Sequence, residues 1–221
     1  MKASIKISVA FSILLVGSMF TLFLLIKNHE KDAVKCVNFK NIELPIIKVL
    51  VAEKGADVHI TQSDSNYISI EYLKNKKTHG GLYKISGDTL HIYAGSRTFI
   101  KCNNIETVIG NQHFWLGIYK FTPDSITLKL MGGKTFINNH GQTKKSMNIA
   151  LIAKDSAFID IQSLNCNKLS AKLTNSNLDI YCSVRNLSAN MKDKAHINLS
   201  KTPRTIQLES DSISHMTMSY N

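Results

Sequence analysis

The stretch LSANMKDKAHINL (Leu187–Leu199) decides the fold, because the chain writes it more than once. Eighteen residues earlier stands LSAKLTNSNLDIY (Leu169–Tyr181), and nineteen residues later IQLESDSISHMTM (Ile206–Met218). With the segment that begins at Ile149 they give four starts, spaced 20, 18 and 19 residues apart. From each start apolar residues alternate: Ile149, Leu151 and Ala153, then Leu169, Ala171 and Leu173, then Leu187, Ala189 and Met191, with Ile206 and Leu208 in the last. Period-2 alternation marks a strand with one buried face. Six residues from each start comes a turn former: Asp155, Asn175, Asp193 or Ser212. A second alternating run follows, with Ile159 and Ile161, Leu178 and Ile180, Ile197 and Leu199, Met216 and Met218. Each unit is therefore strand, polar corner, strand, connector.

A weaker copy starts at Ile126, with Gly132-Gly133 as its corner and 23 residues to the next start, and a further one near Ile105. Such a coil cannot bury its apolar face alone, whereas stacking pairs each strand with its equivalent in the next coil and sends insertions to the corners. An antiparallel sandwich would join consecutive strands by tight hairpins. Here the similarity returns every two strands, and no Asn-Gly or Asp-Gly separates the runs. The sequence predicts an all-β chain whose core is a parallel β-solenoid (β-helix) of irregular 18–23 residue coils. Six coils would make a rod about 30 Å long.

The preceding region is also strand-like. Val49 and Val51, Val58 and Ile60, and Ile68, Ile70 and Tyr72 alternate, with turns at Gly55 and Ser63–Asn66. LYKI and LHIY flank Ser86-Gly87-Asp88, a hairpin signal.

GADVHITQSDSNYISIEY followed by YKISGDTLHIY resembles the head GIN domain family of bacterial envelope proteins, a Bacteroidetes-type group provisionally called auto-transporter adhesins. Gly55, Val58, Ile60, Gln62, Gly87, Leu90 and Ile92 stand at the matching places, and the likeness spans about residues 40–218. The resemblance implies β-solenoid coils after this segment. It carries over no catalytic residue.

Before the β-rich region, Ile7–Ile26 is a run of 20 uncharged residues, long enough as a helix to cross a bilayer. It exceeds the apolar core of a cleavable signal, and KNHEKDAVK after it is no cleavage site. The expected organisation is a short tail (1–6), a transmembrane signal-anchor helix (7–26), a linker (27–40) and a β-solenoid domain (41–221). Lys2 and Lys6 precede the run while Lys27, Lys31, Lys35 and Lys40 follow it, so charge alone does not favour export. Long domains translocate largely regardless of charge, and the reading is a cytoplasmic N-terminus with the domain in the periplasm or outside the cell.

The net charge of +11 is spread along the chain, with Lys74–Lys77 and Lys144-Lys145 as the local clusters. Neither looks like a nucleic-acid arm, so no nucleic-acid partner is expected. Cys36, Cys102, Cys166 and Cys182 contain no C-x-x-C pair. Metal-site spacing is therefore absent, and a disulfide is left open.

Chemistry is sparse. Asp160 and Asp179 should neighbour each other on an outward face, where carboxylate pairs are usually solvated. His196 and His215 should stack, without a third ligand. GGKT (Gly132–Thr135) echoes a phosphate loop but lacks its first glycine and its helix. Trp115, the single tryptophan, reads as a core anchor or cap, with an exposed sugar-stacking role as the other reading. The expectation is no catalytic, cofactor or metal residue. The chain is read as a non-enzymatic binding or scaffold module for an anionic polysaccharide or an envelope protein, able to self-associate through its solenoid ends. The alternatives are a surface adhesin and a glycan-active β-helix enzyme using Asp160 and Asp179.

Overall fold

The computed structural model describes residues 18, 19, 21, 38–72, 81–94, 97–140 and 146–219. One compact unit, Phe39–Glu71 with Thr78–Asn221, holds the β-structure. The expected anchor at 7–26 lies outside the described residues except for three positions, as do most of the 27–40 linker, Cys36 and both lysine clusters. No helix among the described residues is long and apolar enough to cross a membrane.

The repeated half folds as the alternation dictates. β8 (Thr107–Asn111), β10 (Ser125–Met131), β12 (Ser146–Lys154), the later parts of β13 (Phe158–Thr174) and β14 (Asn177–Lys192), and β16 (Thr205–Ser210) form one parallel ladder. Ile126 pairs with Ile149, Ile149 with Leu169, Leu169 with Leu187, and Leu187 with Ile206, so the predicted columns are the actual ones. The second ladder runs through β9 (Trp115–Tyr119), β11 (Lys134–Asn138), the early parts of β13 and β14, β15 (His196–Leu199) and β17 (His215–Met218). Together they make a β-solenoid of about five turns.

Inward side chains of the two ladders form the core. One column reads Ile100, Ile60, Ile118, Ile137, Ile161, Ile180 and Leu199, all 1 % exposed or less. β-Branched residues suit this pleated wall, and each fully buried one contributes about 1.5–3 kcal/mol.

The corners turn through left-handed backbone. Gln112-His113, Gly132-Gly133, Asp155-Ser156, Asn175 and Asp193-Lys194 all have positive φ. Each turns the chain sharply while its N–H groups bond the neighbouring coil: Gln112 N–H to Met131 O at 2.7 Å, Gly132 to Lys154 at 2.8 Å, and Ser156 to Asn175 at 2.7 Å. The single left-handed residue at Asn175, where neighbours use two, accounts for the 18-residue coil. The last corner differs: Asp211 accepts from the N–H groups of Asp193 (2.7 Å) and Ser214 (2.8 Å).

The preceding segment joins the same stack, out of sequence order. β2 (Val49–Ala52) pairs parallel with β8 on one side and with β6 (Thr89–Ile92) on the other. β3 (Asp57–Gln62) likewise lies between β9 and β7 (Arg97–Cys102). Each ladder therefore has two rungs more than the six expected, and the stack is nearer 40 Å long at about 4.8 Å per rung. In β2 the inward residues are Leu50 and Ala52, not Val49 and Val51. Val51 is buried too, on the outer face, and this erases the alternation.

Beyond β6 and β7 the parallel order stops. β5 (Tyr83–Ser86) forms the expected hairpin with β6 around Gly87 at φ 62°, and β4 (Tyr67–Tyr72) pairs antiparallel with β7. β1 (Asn38–Glu43) lies beside β4. These strands cover an edge that would otherwise expose unpaired backbone groups.

Candidate functional site

The outer face of the second ladder carries the site. At its first outward position successive rungs bear Arg97, Asp57, Trp115, Lys134 and Phe158. At the next they bear Phe99, His59, Gly117, Phe136, Asp160 and Asp179. Gly117 is the key to the second row. A Cβ there would lie 2.4 Å from the Tyr119 ring and 2.7 Å from the Trp115 indole. Both rings lean over this glycine from the adjacent outward positions on β9. Trp115 is thus half-buried on the outer face, in the middle of the stack, and not the core anchor or cap expected; the core position beside it belongs to Leu116.

The aromatic cluster continues across rungs. The His59 ring lies 4.8 Å from Phe99, 4.6 Å from Trp115 and 5.9 Å from Tyr119, and Tyr119 lies 6.0 Å from Phe136. These separations suit offset and tilted aromatic pairs. Asp57 fixes the rim. Its Oδ2 accepts from Arg97 Nε at 3.2 Å, and its Oδ1 sits 3.2 Å from His59 Nε2, at ion-pair distance without hydrogen-bond alignment. Burial pulls the His59 pKa down against the pull of Asp57, which favours the neutral ring.

Beside the cluster runs a groove of about 1020 Å³. Trp115, His59 and Phe158 line it from the second ladder, and Gln112, His113, Asp155 and Ser156 line it from the corners. Gly132-Gly133 makes the notch between those corners, because it adds no side chain where its neighbours do. Phe114 lies beneath, and a Cβ on Gly133 would meet its ring at 2.6 Å. GGKT is thus a strand-to-strand corner, not a phosphate loop.

The other sequence candidates stand where predicted. Asp160 pairs in register with Asp179, outside the groove lining. Burial first, then the Asp179 charge, raise the Asp160 pKa, against a hydrogen bond from Gln162 Nε2 at 2.9 Å. His196 and His215 stack at 4.4 Å, and His196 Nε2 lies 3.0 Å from Thr217 Oγ1. No metal-binding group of three His, Cys, Asp or Glu occurs among the described residues. Cys102, Cys166 and Cys182 are buried free thiols; burial pushes the first two up to about 12 and Cys182 to about 11. Sequence reasoning missed His59, Asp57 and Arg97 as site residues. The available signal was Gly117, since a glycine inside a strand marks a close approach.

No protein-family model matches the chain, and no curated protein matches it. Solved structures do. A Bacteroides fragilis protein provisionally named an adhesin superposes with a TM-score of 0.61 at 13% identity, covering 84% of this chain and 98% of that one. A Parabacteroides distasonis protein provisionally named as lipid-binding gives 0.51 at 12%, covering 83% and 97%. At such identities the likeness establishes the fold.

Proposed function

We propose that this chain is a membrane-anchored member of the head GIN domain family whose solenoid binds an envelope component without transforming it. The observation that carries the reading is the aromatic-walled groove at Trp115, built on rungs hydrogen-bonded on both sides. A large concave site with aromatic walls and a few fixed polar groups is the usual form of a binding site. Of the two carboxylates that line it, Asp57 is engaged by Arg97 and His59 and Asp155 is an exposed corner residue, while the in-register pair Asp160 and Asp179 lies outside it. The anchor at 7–26 would hold the domain against the membrane with its N-terminus cytoplasmic. The provisional adhesin name of the Bacteroides structure is in keeping with a holding role.

The test is co-sedimentation of the full chain, in detergent, with isolated cell envelopes, together with an assay for released reducing ends. Retention without product is expected. Product release that Asp160→Asn or Asp179→Asn abolishes would instead establish a glycan-active enzyme. Protease accessibility of a tag after Asn221, in intact and in permeabilised cells, separates the periplasm from a surface adhesin's location.

A further inference from the structure

The groove's own chemistry narrows its ligand. Resting on the binding reading above, we infer that it holds a linear acidic glycan, laid along the stacking axis across the strands. Trp115, Lys134 and Phe158 occupy equivalent positions on three consecutive rungs. Rungs are about 4.8 Å apart, so the backbone positions of the two aromatic residues stand about 10 Å from each other with the lysine between. That is a periodic ligand's pattern: a ring on Trp115, a ring on Phe158, and a negative group on the intervening unit. Aromatic faces carry partial negative charge and attract the C–H face of a sugar ring. Phe158 is 37 % exposed and Trp115 opens into the groove.

The cation decides between neutral and acidic sugars. Lys134 is exposed, and no salt bridge engages it among the described residues, whereas Arg97 is held by Asp57. An anion at Lys134 therefore gains an ion pair without breaking one. Gln112 and Ser156, which also line the groove, offer hydrogen-bond partners to hydroxyls, and the Asp155 carboxylate accepts from a hydroxyl but repels an acidic group, which leaves Lys134 as the place for the anion. Peptide recognition by strand addition needs a free sheet edge, and β9 and β11 are paired on both sides.

Trp115 is the chain's single tryptophan, so its fluorescence reports this groove alone. The full chain in detergent is titrated with an oligogalacturonate, a heparin oligosaccharide, a cello-oligosaccharide and polyglutamate. The expected result is a saturable emission change with oligogalacturonate or heparin, the first identifying a carboxylate and the second a sulfate. Lys134→Gln should weaken it about tenfold and flatten its salt dependence. Phe158→Ala should also weaken it about tenfold. Both side chains are exposed, so neither change threatens folding. Equal response to cello-oligosaccharide would overturn the acidic assignment, and equal response to polyglutamate would overturn the glycan. No response to any of the four, with envelope retention intact, would sink this inference and leave the binding reading standing. Loss of retention as well would sink both.

Discussion

At the scale of single residues, two positions are constrained in ways composition does not reveal. Gly133 has φ 75° and abuts Phe114, so Gly133→Ala should cost about 1–3 kcal/mol from left-handed strain and overpacking, read as a lower urea midpoint. Asn139 is fully buried: its Oδ1 accepts from Phe121 N–H at 2.9 Å and its Nδ2 donates to Phe121 O at 3.0 Å. Asn139→Leu would strand both backbone groups, an expected loss of about 2–4 kcal/mol by the same measurement. Asp160 works in the opposite sense. Its folded pKa is raised, so its favourable contribution is complete below the unfolded value and is lost as pH rises through the folded one. Asp160→Asn should therefore raise the urea midpoint at pH 7, and the gain should vanish near pH 3. These three sites were unequally legible. The Asp160–Asp179 pairing followed from the repeat, whereas the partners of Asn139 and Gly133 arise from contacts between coils that no local pattern records.

At the scale of elements, the stack has nearest-neighbour energetics: each rung touches the rung above and the rung below. Ile70 is fully buried in β4, the antiparallel cover of β7. Ile70→Ser should expose the β7 amides to rapid hydrogen exchange and leave β13 and β14 protected; uniform loss of protection would show that the stack melts as one unit. The regular coils were readable because alternation and corner chemistry agreed at every copy. β2 misled because Leu50 and Val51 are both buried, one inward and one outward. β9 misled because WLGIY is apolar throughout, so only Gly117 separates its inner from its outer face. The neighbours of β2 and β3 were beyond sequence reach, since β6 and β7 differ from them in register cues and arrive some 40 residues later.

At the scale of the whole molecule, the two ends of the stack are unlike. Antiparallel strands cover one, while at the other β16 and β17 are mostly exposed, with Leu208 and Ile213 open by 41 % and 53 %. Amides of β16 and β17 should exchange first under native conditions, and a truncation at 200 should leave Trp115 emission unchanged. The order of rungs bears on how the chain is born. The β13–β14 half can wind up as it leaves the ribosome, because each new turn finds the previous one about 19 residues behind it. The rung made by β2 and β3 emerges earliest of the stack, yet both its flanks come from chain not yet synthesised: β6 and β7 some 40 residues on, β8 and β9 nearly 60. For that interval it has no partner, and the groove's His59 and Asp57 wait with it. Slow loop closure at the start and rapid zippering afterwards is the folding rhythm this ordering imposes.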